Sequence, residues 1–294
     1  MRFMVMVKAT KDSEAGVLPD EKLLSEMGKF NEELVKADAL LAGEGLQASS
    51  KGARVRYANG KVQVTDGPFT EAKELVAGFW LLQTNSMEDA VEWARRAPFQ
   101  EGEVEIRPLF ELADFPVDPA EKPDGWREKE EQFRATPPVR KPGTIRFMGL
   151  LKADRDTEAG VLPDEKLLAA MGAFFEDGTK SGVILAGEGL QPSSKGVRVR
   201  YSGNKRAVID GPFAETKELI AGYAIIQVGS RDEAIEWTKQ FVTVDAPGRL
   251  GGESDCEIRQ IFETEDFPVS PDEKPDGWRQ QEQRLRAQAA ARKQ

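Results

Sequence analysis

Asp66-Gly67-Pro68-Phe69, followed by Glu71, Lys73-Glu74-Leu75 and Ala77-Gly78, returns as Asp210-Gly211-Pro212-Phe213, followed by Glu215, Lys217-Glu218-Leu219 and Ala221-Gly222. The copies lie 210 − 66 = 144 positions apart. An Asp-Gly-Pro-aromatic corner has a local physical reading. Asp bonds its own backbone two residues on, Gly accepts positive φ, and Pro fixes the exit direction.

Working outward, the duplication takes in nearly the whole chain. Arg2-Phe3-Met4 matches Arg146-Phe147-Met148, and 14–24 matches 158–168 without a change. Leu41–Gln47 matches 185–191, and Arg54-Val55-Arg56-Tyr57 matches 198–201. Beyond Trp93 and Trp237 the offset grows to 257 − 105 = 152, so the second copy carries eight extra residues within 238–256. Their Gly and Pro content predicts a loop. The expected division is a first α+β domain over 1–113, a Pro-rich linker over 114–143, a second domain over 144–267 and a tail over 268–294. Two copies make a domain duplication rather than a solenoid.

Within each copy the periods predict elements. Phe3–Val7 and Gly78–Gln83 are continuous apolar runs, strands buried on both faces. Leu23, Met27, Phe30 and Leu34 form one helical stripe, and Gly178 in place of Leu34 predicts an earlier end for the second helix. Leu40–Leu46 and Val104–Phe110 read as strands, and Asn59-Gly60 marks a hairpin. Ser86 with Asp89, and Ser230 with Glu233, predict capping boxes. The order β-α-β, hairpin, β-α-β predicts a ferredoxin-like α+β unit with an added hairpin. Strands apolar on both sides need a second sheet, so the halves are expected to pack sheet to sheet as an intrachain pseudo-dimer. Trp80, Trp93 and Trp237 fit core packing, while Trp126 and Trp278 read as tail anchors.

Composition narrows the chemistry. The net charge of −10, with no Lys/Arg-rich run, argues against a nucleic-acid groove. The longest apolar runs are strand-sized, and no signal-peptide pattern is present; the expectation is a cytoplasmic protein with no membrane partner. There is one cysteine, Cys256, and no histidine. That removes Ser-His and Cys-His nucleophiles, His-ligated metals and imidazole acid–base work. No metal and no cofactor are expected.

Leu-Ala-Gly-Glu-Gly-Leu, Arg-Val-Arg, Asp-Gly-Pro-Phe-x-Glu-x-Lys-Glu and Glu-x-Ile-Arg together resemble the YCII-related, or DGPF-domain, proteins through about 110 residues of each half. The resemblance implies a dimeric α-β barrel. It implies little about activity. More distant relatives look like lyases or dehydrochlorinases with a His-Asp pair, a histidine this chain lacks. Other relatives lie beside extracytoplasmic-function sigma factors, which implies a regulatory role.

Candidate site residues come in pairs. Glu44 and Glu188, each between two glycines of an apolar strand, are the acid–base candidates; the competing reading is a bulge with the carboxylate at an Arg or in water. Arg54 with Arg56, and Arg198 with Arg200, share a strand face fit for an anion or for solvent. Asp66 and Asp210 are binding candidates or turn formers. Lys73 and Lys217 sit among glutamates as surface ion pairs. Glu105 with Arg107, and Glu257 with Arg259, alternate with Ile106 and Ile258. If the isoleucines face the helices, these charges face the space between the sheets, as a ligand cavity or a structural ion pair. The functional expectation is small-molecule binding, or cofactor-free proton transfer of isomerase or lyase type, in two pseudo-equivalent pockets. The alternative is a non-catalytic regulatory module, and further pairing of the pseudo-dimer is left open.

Overall fold

The first half builds β1 (Arg2–Lys8), α1 (Lys11–Glu14), α2 (Glu21–Lys36), β2 (Leu40–Gly45), β3 (Ala53–Ala58), β4 (Lys61–Asp66), β5 (Val76–Gln83), α3 (Met87–Arg96) and β6 (Glu101–Pro108). The second repeats it with β7 (Ile145–Lys152), α4 (Arg155–Glu158), α5 (Glu165–Lys180), β8 (Ile184–Gly189), β9 (Val197–Ser202), β10 (Lys205–Asp210), β11 (Ile220–Val228), α6 (Arg231–Asp245) and β12 (Ser254–Gln260). These elements come from a computed structural model, which describes residues 1–70, 75–115, 139–213, 219–267 and 284. The expectations for Lys73, Lys217, Trp126, Trp278, most of the linker and nearly all of the tail lie outside the described residues.

The strands form two antiparallel six-stranded sheets, ordered β10-β9-β6-β1-β5-β2 and β4-β3-β12-β7-β11-β8. Each hairpin therefore completes the sheet of the other half: β3 pairs with β12, and β9 with β6. Sequence repeat and sheet are different units. The sheets do not close into the expected barrel; they stay open and are joined at their corners by bridges between Leu46 and Ile261 and between Leu109 and Leu190.

Alternation along the strands separates three cores. Met4 and Met6 of β1, with Phe79 and Leu81 of β5, meet Met148, Leu150, Tyr223 and Ile225 between the sheets. Phe3, Val5, Trp80 and Leu82 face α2 and α3 with Phe30, Leu34 and Val91. Phe147, Ile226, Val228 and Ile258 do the same beneath α5 and α6. Asp20 and Asp164 cap α2 and α5 by accepting from the N–H groups of Leu23 and Leu167, each at 2.7 Å. Ser86 and Ser230 accept from the Asp89 and Glu233 N–H groups, each at 3.2 Å, while Glu233 Oε2 accepts from the Gly229 N–H at 2.8 Å. Asn59 and Gly60 take φ of 52° and 74°, the turn the sequence predicts.

Two further expectations are corrected. α5 does not end at Gly178. It runs to Lys180, because a Cβ at Gly178 would lie 2.3 Å from Ile184 Cδ1, and glycine lets the helix sit directly on β8. The eight extra residues are not simply a loop. They lengthen α6 to 15 residues against 10 in α3, and continue as 3-10 turns over Ala246–Gly248 and Leu250–Gly252. Among the described residues no helix is long and apolar enough to cross a membrane.

Candidate functional site

Register decides where the last-strand charges point. Met4 pairs with Arg107 and Met6 with Glu105, so both charges share the inter-sheet side, while Ile106 joins the helix-facing core. The same holds for Arg259 and Glu257, opposite Met148 and Leu150. All four are buried.

Each buried pair is the centre of a network drawn from both halves. Arg107 donates from Nη1 to Glu105 at 3.1 Å, from Nη2 to Glu158 at 3.1 Å and from Nε to the Gln191 carbonyl at 2.9 Å. Lys8 Nζ lies 3.2 Å from Glu105 Oε2, and Arg198 Nε donates to that oxygen at 2.9 Å. In the other network Arg259 donates to Glu257 at 3.2 Å, to Glu14 at 2.7 Å and to the Gln47 carbonyl at 2.7 Å. Arg54 Nε donates to Glu257 Oε2 at 2.9 Å, and Lys152 Nζ is 3.7 Å from it. Burial pushes the Glu105 carboxyl up, but Lys8, Arg107 and Arg198 outweigh it and hold it at about 2. Glu257 is depressed in the same direction, with burial opposed by Lys152, Arg259 and Arg54. The Lys152 ammonium is pushed down, chiefly by burial.

The Asp-Gly-Pro-Phe corner completes these networks. Both Gly-Pro bonds are cis. The Phe69 N–H donates to Ser49 Oγ at 3.0 Å, and the Phe69 ring lies under the Arg54 guanidinium at 4.1 Å. Phe213 repeats this with Ser193 at 3.2 Å and Arg198 at 4.0 Å. The corner thus aims an arginine of one half at the buried glutamate of the other. Asp66 itself is exposed and pairs with Arg231, and Asp210 is exposed on the edge strand β10. Arg56 and Arg200 pair with Glu253 and Glu103 near the surface. Asp255, in the place of Glu103, is pushed up by burial, and its buried Oδ1 has no hydrogen-bond partner among the described residues.

Glu44 and Glu188 are each clamped by the arginine that opens the opposite half. Arg146 donates to the two oxygens of Glu44 at 2.6 and 3.2 Å, and to Glu263 at 2.8 and 3.0 Å. Arg2 donates to Glu188 at 2.7 Å and to Glu111 at 2.9 Å through both Nε and Nη2. Sequence reasoning missed Lys8, Lys152, Glu14, Glu158 and the Ser49/Ser193 pair; Glu14 and Glu158 did carry a signal, standing in the block that repeats unchanged.

A cavity lies elsewhere, on the helix side of the second half. It measures about 580 Å³ and sits between α5, α6 and the sheet, walled by Phe174, Phe175, Trp237, Phe241, Ala224 and Gly149. In the first half the places of Ala224 and Gly149 are taken by Trp80 and Val5, both buried in the helix-facing core. Trp80 stacks edge-on with Phe30 at 5.5 Å and donates to Asn31 at 2.9 Å. The eight-residue insertion contributes to the wall of the second-half cavity through Asp245, Gly248 and Arg249. At that end Arg249 donates to Asp245 at 2.6 Å and to Asp154 at 3.1 Å. Glu188 also borders the cavity, though its carboxylate is turned to Arg2. Among the described residues no three His, Cys, Asp or Glu side chains gather to hold a metal.

The profile of the YCII-related domain matches residues 1–113 and 146–259. An uncharacterised protein of Rhizobium meliloti (strain 1021) is 32% identical over 93 residues, 31% of this chain and 75% of that protein. Among solved structures, one titled as a structure-based functional identification of a novel heme-binding protein from Thermus thermophilus aligns over 89% of this chain and 91% of that one. Its TM-score is 0.35 at 13% identity.

Proposed function

This chain belongs to the YCII-related domain family, with two tandem copies of the domain, and we propose that it is a small-molecule-binding protein with its site in the second half, in the cavity between α5, α6 and the sheet. The cavity of about 580 Å³ carries the reading. Its size is that of ordinary ligand pockets, and its apolar wall with a few charged groups at one end is their usual composition. The buried charge networks do not serve as well, because Glu105, Arg107, Glu257 and Arg259 already satisfy one another. Their role in this reading is to lock the exchanged hairpins to the opposite sheets. The four-strand order β6-β1-β5-β2 supports a ferredoxin-like description of each half. Proton transfer at Glu44 and Glu188 is a separate proposal, for which Glu44→Gln/Glu188→Gln is the test.

A thermal-shift screen of apolar metabolites against the wild type and Ala224→Trp tests the binding reading. A ligand at a hundredfold excess over its Kd stabilises by about 2.7 kcal/mol, a shift of several degrees. A hit that Ala224→Trp loses supports the cavity. Equal shifts in both proteins would contradict it, and a panel without hits would favour the regulatory alternative.

A further inference from the structure

We propose that the cavity of the second half selects apolar molecules that carry an amine, and that it disfavours carboxylates of the same shape; this rests on the binding reading above. α5, α6 and the sheet supply the aromatic and aliphatic surface, and charged groups gather where Arg249, in the turn after α6, bonds Asp245, the last residue of α6, and Asp154, the cap of α4.

The charges at that end do not balance. Among the described residues, Asp154, Asp156 and Asp245 border the cavity there with a single cation, Arg249. Arg249 is committed to Asp245 and Asp154, and Asp245 accepts a further bond from Ser254 Oγ at 2.7 Å. Asp156, the second residue of the short helix α4, borders the same cavity. Farther along α5, Lys180 is neutralised by Glu176, at 2.5 Å. One end of an apolar cavity thus carries an excess of negative charge. A desolvated ammonium there gains opposite charge and acceptors, whereas a carboxylate meets like charge and no uncommitted cation among the described residues that border it. The net charge of −10 acts in the same direction at longer range.

The first half shows that this is not a property of the repeat. Trp80 and Val5 fill the equivalent space, and the equivalent helix, α3, stops at Arg96 without the extension that carries Asp245 and Arg249. Selectivity and cavity arise from the same departures of one copy from the other.

Decylamine, decanol and decanoate, all below their micellar concentrations at pH 7, form the test by titration calorimetry on the full chain. The expected result is one decylamine per chain, bound at least tenfold more tightly than decanoate, with decanol between them. Asp156→Asn is expected to weaken decylamine about fivefold and leave decanol unchanged, while the exposed control Asp210→Asn changes neither. Ala224→Trp and Gly149→Val, checked for native circular dichroism, are expected to lose all three. Decanoate binding as tightly as decylamine, or Asp156→Asn acting no differently from Asp210→Asn, overturns the amine preference and leaves the cavity reading standing. No binding of any probe, or undiminished binding by both folded filling variants, overturns both.

Discussion

Trp80 and Ala224 hold equivalent places, 224 − 80 = 144 residues apart, on the helix-facing sides of β5 and β11. Where the indole fills one half, the methyl group leaves the other open. The repeat is therefore symmetric in backbone and unequal in what it encloses.

Removing the filler from the first half should be costly. Trp80→Ala deletes a buried ring and leaves the Asn31 side chain without its donor. The expected loss is about 3–5 kcal/mol. Urea unfolding reads it, and a loss under about 1 kcal/mol would show that the ring packs loosely.

Ion pairs of similar length should differ in worth according to burial. Arg54→Ala strips a partner from the fully buried Glu257, at a cost of about 3–5 kcal/mol. Arg56→Ala removes a surface pair with Glu253 and should cost less than about 1 kcal/mol. Comparable losses in the two variants would contradict the role given to the buried network.

Acid should loosen the protein through the same network. The folded Glu105 carboxyl is held at about 2 against an ordinary 4.5. A depressed carboxylate contributes stability that is complete above about pH 4.5 and is lost as the pH falls toward 2. The amount is on the order of 3 kcal/mol at 1.36 kcal/mol per pH unit, and Glu257 adds to it in the same direction. Unfolding free energies between pH 3 and 7 should fall more steeply for the wild type than for Glu105→Gln; parallel curves would count against the assignment.

The glycine of the Asp-Gly-Pro-Phe corner is required by space rather than by φ. A Cβ at Gly67 would lie 1.9 Å from the Ser49 carbonyl oxygen, and one at Gly211 1.8 Å from that of Ser193. Gly67→Ala is expected to cost at least about 2 kcal/mol. Gly60→Ala, in an open turn at φ +74°, should cost only about 1 kcal/mol. Chemical denaturation of the two variants side by side checks the ranking.

Much of the architecture was legible because it is local. Alternation, caps and the Asn59-Gly60 turn follow from neighbours in the chain, and apolar strands such as Phe3–Val7 demanded a second sheet. Hairpin exchange was not legible, since Arg54-Val55-Arg56 can pair with the last strand of either half and only the tertiary fit to Glu257 decides. The inward direction of Glu105 and Arg107 followed from the alternation with Ile106. Glu158, the partner of Arg107, and Glu14, the partner of Arg259, lie far off in sequence from the strands they join. The cavity was missed for a plainer reason. A motif search rests on what the copies share, whereas the cavity lies in what they do not share: Trp80 against Ala224, Val5 against Gly149, and the extension of α6.

The most direct measurement is a fluorescence titration with the neutral apolar probe N-phenyl-1-naphthylamine, on the wild type and Ala224→Trp at equal concentration. The account predicts one probe per wild-type chain, enhanced in emission, and none in the folded variant. Saturable binding of equal strength and stoichiometry in both proteins would contradict a ligand site in the cavity of the second half.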